Sequence, residues 1–288
     1  MANLKELRNR IASVSSTMQI TSAMKMVSAS KLHKAQDAIV AMRPYADKLT
    51  ELLQSLSASL DSDTGGQYAV EREVKNVLVV AISSNRGLAG AFNSNIVKGV
   101  KNLTQNQLSG KNIEIYSLGK KASDILKKTH TIRTNNNEIF DNLDFENVED
   151  IAEDIMNLFV KGEYDKVMLV YNQFKNAATQ IVAVEQFLPI VPPQDKEENK
   201  PLSDYIFEPE KATIVQELIP KSLKMQLFKA LRDSFASEHG ARMTAMHKAT
   251  DNATELRDSL KLSYNKARQA AITGEILEIV GGAEALNN

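Results

Sequence analysis

The chain of 288 residues contains no cysteine, which excludes disulfides, cysteine-ligated metals and thiol catalysis. Its four histidines (His33, His130, His239 and His247) do not cluster with carboxylates at a metal-ligand spacing, so each reads as solvated or packed and no metal is expected. No apolar run approaches the roughly 18 residues of a membrane span, and the N-terminus lacks a signal-peptide core. The expectation is a protein that is soluble or, at most, peripheral to a membrane. No Ser/His/Asp arrangement can be singled out, and the many carboxylates fall on solvated helix faces rather than in a cleft. Nothing reads as an active site, and no catalytic residue or cofactor is expected.

Proline is scarce as well as localised. Six of the seven prolines lie between Pro189 and Pro220, around the charged run DKEENK, and this stretch reads as an extended, exposed connection. Beyond it, residues 220–280 hold no second proline, and a continuous helix there would be about 90 Å long. That exceeds what one globular domain needs, so the helix is expected to project. Its base (Leu223, Leu227, Phe228, Leu231, Phe235) is bulky enough for a domain core. Farther on, the positions Ala249, Ala253, Leu256, Leu260, Ser263, Ala267 and Ala270 form a seam of mostly small residues that lets a second helix approach closely.

The first 60 residues supply that helix. From Leu4 the positions Leu7, Ile11, Val14, Met18, Thr21, Lys25, Ser28, Leu32, Ala35, Ile39, Met42, Ala46, Leu49, Leu53, Leu56 and Leu60 keep a strict seven-residue repeat, the mark of a coiled coil. Pro44 should bend one turn without ending the helix. The seam turns polar at Thr21, Lys25 and Ser28, while Ile20, Met24 and Val27 form a second short stripe. Two readings stand at this point: a local wet gap, or a turn facing a third protein. Because the first long helix runs into the middle of the chain and the last runs out of it, the two must be antiparallel if they pair.

Between them the period changes. Residues 61–67 (DSDTGGQ) form a connector, and residues 76–83 (NVLVVAIS) read as a strand buried on both faces. The loop SNRGLAG then leads to a helix over 91–104. Strands over 112–117 and 166–171, helices over 120–128 and 147–160, and an antiparallel edge strand over 179–188 complete a small open α/β sheet with right-handed crossovers. The predicted fold class is therefore α/β with long helical extensions: a terminal antiparallel two-helix coiled coil plus a small open Rossmann-like domain. Its expected divisions are 1–60, 68–208 and 209–288.

Formal net charge is −1, but the distribution is uneven. Residues 1–60 carry eight Lys and Arg against four Asp and Glu, residues 221–280 carry ten against seven, and residues 61–220 carry 17 against 24. Two basic helices thus flank an acidic middle. Without aromatic interleaving this is a weak footprint for nucleic acid, and an acidic protein partner fits at least as well.

Two local features bear on function. The loop SSNRGLAG (83–90) follows a strand and precedes a helix, where backbone N–H groups can hold an anion. It lacks both the GxxxxGK[ST] and the GxGxxG spacing, so Gly87 and Gly90 read better as turn residues. A nucleotide-binding α/β enzyme with helical extensions is the runner-up reading, and a coiled-coil adaptor is a third. At the other end, Ile272, Ile276, Leu277, Ile279 and Val280 are apolar nearly all round the helix, and such a tip needs another chain to cover it. Just before it, Arg268 and Gln269 are either a solvated pair or donors to a surrounding partner.

Five stretches together, TSAMKMVSASK (21–31), SNRGLAGAFN, ARMTAMHKATDNA (241–253), YNKARQAAIT and ITGEILEIVGGAEA (272–285), resemble the γ-subunit family of F-type ATP synthases over essentially the whole chain. In the terminal block Ile272, Thr273, Glu275, Glu278, Ile279, Val280, Gly282 and Ala283 fall at that family's spacing.

The resemblance implies a central rotor shaft, one copy per complex, that couples proton flow to ATP synthesis made elsewhere. Its coiled coil would stand inside a ring of three α and three β subunits, with the ε subunit and the membrane c-ring at the α/β domain. By family position Met24 and Lys25 would face the acidic lever loops of β. Arg268 and Gln269 would form a catch on one β subunit with Thr273 beside it, and Ile276, Ile279 and Val280 would sit in an apolar sleeve.

Gly240 and Gly274 depart from what a stiff helix wants, each costing about 1 kcal/mol against alanine. The cysteine-bearing regulatory insertion of chloroplast relatives is absent, so thiol switching is not expected. The starting methionine and the lack of a transit segment favour a peripheral protein on the cytoplasmic face of a bacterial plasma membrane.

Overall fold

The computed structural model describes residues 4–57, 66–190 and 211–286. In chain order these form α1 (Leu4–Ser57), β1 (Asn76–Ile82), α2 (Phe92–Asn102), β2 (Asn112–Leu118), α3 (Lys120–Leu126), β3 (Thr131–Asn136), α4 (Phe145–Val160), β4 (Lys166–Phe174), β5 (Gln180–Leu188) and α5 (Lys211–Leu286). The fold class is as expected, with long terminal helices and a central mixed sheet. Most of the 61–67 connector and the proline-rich run from Pro192 to Pro209 lie outside the described residues. The chain divides into two compact units: Ala29–Arg242, and Met1–Ser28 with Met243–Asn288.

In the first unit the strand order is β3-β2-β1-β4-β5, with β5 alone antiparallel. β1 is central, and its seven residues are inaccessible after Asn76, so an unbroken apolar run fits it. Alternate residues serve opposite layers. Val77, Val79 and Ala81 meet Ile96, Val100 and Leu126 of α2 and α3. Leu78, Val80 and Ile82 join Ile155 and Phe159 of α4, Leu227 and Leu231 of α5, and Ala46 and Leu49 of α1. The bulky base expected of the last helix is thus a wall of the core, with Leu227 and Leu231 fully buried. Lys224 ties the same stretch to α4 through Glu149 and Glu153.

Three details differ from expectation, and a fourth concerns how the last helix begins. β3 carries the sequence TIRTNN and alternates exposed and half-buried positions; a polar parallel edge strand has almost no apolar signal to announce it. α4 starts two residues early because Asp144 caps it, its carboxylate accepting from the Asn147 N–H at 2.9 Å. α2 ends in a π-turn in which the Leu108 N–H reaches the Leu103 carbonyl at 3.1 Å, and both leucines are buried. Finally, α5 passes through Pro220 without interruption. Leu218, Ile219 and Leu223 on either side pack on the core, which offsets the hydrogen bond that proline forfeits.

In the second unit the two helix segments run antiparallel. Thr250 Oγ1 lies 2.9 Å from Thr21 Oγ1, Thr254 and Arg257 approach Met18, and Arg8 reaches Tyr264, so numbers fall on one segment as they rise on the other.

Candidate functional site

The expected α1 seam is the observed one from Leu4 to Leu49, while the seam positions Leu53, Leu56 and Leu60 lie outside the described side chains. In the helical-pair unit Leu7, Thr21 and Ser28 are buried, and Leu4, Ile11, Val14, Met18 and Lys25 are half-buried. The hydroxyls of the polar gap find acceptors within the pair. Ser28 Oγ donates to the Met24 carbonyl at 2.8 Å, Thr21 Oγ1 donates to the Met18 carbonyl at 3.1 Å, and Thr250 Oγ1, with one proton to give, lies within reach of both the Met246 carbonyl and Thr21 Oγ1.

The expected α5 seam is one residue out of phase in places. Ala253, Leu260 and Ala267 do face inward, but Leu256 is 51% exposed, and Ser263 and Ala270 are also outside. Their places are taken by Arg257 and Tyr264, which together with Met246, Thr250, Ala253, Leu260 and Ala267 keep alternating spacings of four and three. Arg257 lies along the pair with Nη1 3.5 Å from Met18 Sδ. Tyr264 accepts from Arg8 Nη2 at 3.1 Å, and the nearby guanidinium lowers the phenol's pKa while the phenol raises that of Arg8. Long amphipathic side chains cover apolar surface with their stems and keep their polar ends wet, a role that a count of apolar residues does not find.

The residues expected to meet partners gather on two surfaces of this unit. On α1, Ile20, Met26 and Val27 are exposed by more than half, while Met24 and Lys25 are half-buried beside them. Met24 therefore sits lower than the stripe it was grouped with. On α5, every side chain described from Arg268 to Glu284 is exposed except at Gly274. Gln269, Thr273, Ile276 and Val280 lie on one stripe, and Arg268, Ile272 and Ile279 on the next. Thr273 Oγ1 donates to the Gln269 carbonyl at 2.9 Å. Ile272, Ile276, Leu277, Ile279 and Val280 are between 48% and 71% exposed, a grouping of large apolar side chains of the kind that marks a binding site.

In the sheet unit the loop over 83–90 is held by hydrogen bonds within it and to neighbouring segments. The Ser84 N–H donates to Asn93 Oδ1 at 3.0 Å, Ser84 Oγ donates to the Arg86 carbonyl at 2.7 Å, and Asn85 bridges the Lys120 N–H and the Asn137 carbonyl. Leu88 adopts φ 61° and is 65% exposed.

In open α/β sheets ligands bind where the strand order reverses, beyond the carboxyl ends of the strands. That place, between β1 and β4, is filled by α5. Ser237 Oγ donates to the Asn172 carbonyl at 2.9 Å, Ala241 packs with Ala89 and Phe92, and Arg242 reaches the loop. The crevice that the nucleotide-binding reading needs is occupied by the chain itself.

A groove of about 420 Å³ lies instead at the opposite strand ends and was not foreseen. There Arg133 bonds Glu163 at 2.8 Å and the Tyr164 hydroxyl at 3.2 Å, and that hydroxyl donates to Glu114 at 2.5 Å. Burial, with the Glu114 bond next, pushes the Tyr164 pKa up to about 12.

The ATP synthase family profile matches residues 3–286. The chain is 75% identical over 287 residues to the ATP synthase gamma chain of Christiangramia forsetii and 69% identical to that of Flavobacterium johnsoniae, each alignment covering all of both chains. The chain belongs to the ATP synthase gamma chain family.

As a gamma chain it is a central-stalk subunit of the rotary ATP synthase. Among solved structures it is similar to a chain of the central stalk and c-ring of the Tetrahymena thermophila mitochondrial ATP synthase, at 27% identity and TM-score 0.62, covering 80% of this chain and 99% of that one. A chain from the Euglena gracilis mitochondrial enzyme shares the fold with TM-score 0.70, covering 98% of this chain and 94% of that one, at 23% identity.

Proposed function

We propose that this chain is a shaft that does no chemistry of its own, and that its helical-pair unit turns inside a ring of three α and three β subunits. The observation that carries this reading is the apolar end of α5. Five large aliphatic side chains stand in water there, although the same helix buries its bulky residues elsewhere, and a surrounding sleeve would remove that cost.

Arg268 and Gln269 then serve as donors to one β subunit with Thr273 beside them, while Ile276, Ile279 and Val280 fill the sleeve. Met24 and Lys25 meet an acidic loop, which the basic charge of both helix segments favours. The ε subunit and the c-ring engage the sheet unit, one gamma chain serves each complex, and the assembly sits on the cytoplasmic face of a bacterial plasma membrane. The divisions 1–60, 68–208 and 209–288 are the functional parts in this reading.

Replacing Arg268 and Gln269 together by alanine should lower coupled ATP synthesis in membrane vesicles several-fold more than it lowers the amount of assembled complex. Equal losses, or none, would remove the pair from the torque path.

A further inference from the structure

Glu238 and Arg242 form a deeply placed ion pair. Their side chains are 10% and 9% exposed, with Nη1 2.6 Å from Oε1, one turn apart on α5. The other described pairs each keep a partner more than a third exposed or hold their charges at the surface. Burying two charges removes more hydration than their attraction returns unless the remaining donors also find acceptors.

Here they do. Arg242 Nη2 points at the carbonyl oxygens of Arg86 at 3.3 Å and Gly87 at 3.4 Å, in the loop between β1 and α2. Beyond those two carbonyls the chain turns through Leu88 at positive φ and presents Arg86, Gly87 and Leu88 to solvent.

A guanidinium suits this task because its donors diverge in one plane. With one edge held by a carboxylate, the other is aimed in a fixed direction. A lysine ammonium, a point donor on a flexible stem, has no second edge. The base of the loop is held by Ser84 and Asn93, and one wall by Ala89 and Phe92 against Ala241. The tip is held through Arg242.

We propose that Glu238 and Arg242 are positioning residues, a strut through which α5 sets the conformation of the 86–88 loop tip, so that turning force passes between helix and sheet unit without slack. The force-bearing half of this statement rests on the rotor reading given above. The strut half does not.

The absence of cysteine makes a direct measurement clean. In the full chain, spin labels at Leu88→Cys and at the exposed Lys229→Cys report a distance distribution by pulsed electron paramagnetic resonance. The parent should give a narrow distribution. Three replacements follow: Glu238→Leu with Arg242→Met, which keeps volume without charge; the reversal Glu238→Arg with Arg242→Glu, which keeps an ion pair but cannot donate to carbonyls; and Arg242→Lys. Each should broaden the distribution at least two-fold, and in the Leu/Met variant the thermal midpoint should stay within about 3 °C, because replacing a buried ion pair by an apolar pair of similar size is often neutral for stability.

A width unchanged in the Leu/Met variant, or restored in the reversed pair, would overturn the strut. Should the double variants unfold, Glu238→Gln and Arg242→Lys decide, and unchanged width in both is equally fatal.

In assembled complexes, ions pumped per ATP hydrolysed should fall at least two-fold in the Leu/Met variant while hydrolysis stays above half. Unchanged pumping with a broadened loop would overturn the force-bearing half. Failure of the parent chain to restore pumping to complexes lacking their gamma chain would instead overturn the rotor reading.

Discussion

α5 is one helix with two different uses of apolar side chains. Between Leu223 and Ala241 its bulky residues close the sheet unit's core, and Leu227, Leu231 and Ala236 are fully buried. Between Met246 and Leu286 it holds its partner segment through alanines, threonine hydroxyls and the stems of Arg257 and Tyr264, while isoleucines and valine face water. The base uses hydrophobic area to fold this chain. The distal half leaves that area available for other chains, and small or polar seam residues suffice where a second helix need only stay in place.

The largest expected contrast comes from truncating one aliphatic side chain in each half. Leu227→Ala should cost about 4 kcal/mol through lost transfer energy and a cavity, whereas Ile279→Ala should change the stability of the isolated chain by less than about 0.5 kcal/mol. Denaturant melts of the two variants check this, and a comparable loss from Ile279 would mean that the end of α5 is already packed in the free chain.

The base also hides a titration. His239 is 5% exposed, both ring nitrogens lack a hydrogen-bond partner among the described residues, and its ring stands edge-on to Phe235 at 4.5 Å. Burial, followed by the positive charges of Arg242 and Lys31, pushes its pKa from 6.5 down to about 3. The unfolded chain therefore binds the proton first as pH falls. The stability this neutral ring permits is complete above pH 6.5 and is lost progressively between 6.5 and 3, by about 2 kcal/mol between pH 6.5 and 5 at the limiting slope. His239→Phe should remove that part of the pH dependence and, by deleting an unsatisfied polar group, raise stability at pH 5. A melt series that leaves the slope unchanged would place the histidine in contact with water.

Two helical glycines sharpen the contrast at smaller scale. A Cβ at Gly240 would lie 3.1 Å from the Ala177 carbonyl oxygen, in a turn that Asn176 braces by accepting from the Ala178 and Thr179 N–H groups. At Gly274 it would meet nothing within 4 Å. Gly274→Ala should therefore stabilise by about 0.5–1 kcal/mol, and Gly240→Ala should lose about 1 kcal/mol, since the braced turn has little room to yield. Equal gains at both would show that the turn yields freely.

The smallest effect belongs to the seam. Thr250→Val keeps the shape and deletes the bonds to Thr21 and Met246, and should cost about 0.5 kcal/mol at a half-exposed site. A cost near that of Leu227→Ala would mean the pair depends on this one hydroxyl.

Much of this was legible before any coordinates. The α1 repeat placed Leu7, Thr21, Ser28, Leu32 and Ala35 on the inward face correctly, because a seven-residue period over many turns admits one face only. The β1 run announced a central strand, and the isoleucines near the C-terminus announced an uncovered surface. The α5 seam was less legible because its positions are held by threonine, arginine and tyrosine, residues as common outside as inside. The groove at Arg133 and Tyr164 was not legible at all, since its members come from four separate stretches of chain.

The order of residues alone determined the two long helices, the alternation that makes the sheet unit, the family and the apolar end of α5, because each is written in neighbouring positions with a fixed period or spacing. Tertiary structure alone decided that Arg257 and Tyr264 line the pair, that α5 occupies the crevice beside β1, that Gly240 is needed for the close approach of Ala177, and that Glu238 and Arg242 are buried against a loop about 150 residues away in sequence. Each of those outcomes depends on a neighbour remote along the chain, and an amphipathic or small side chain carries no local mark of which neighbour it will meet.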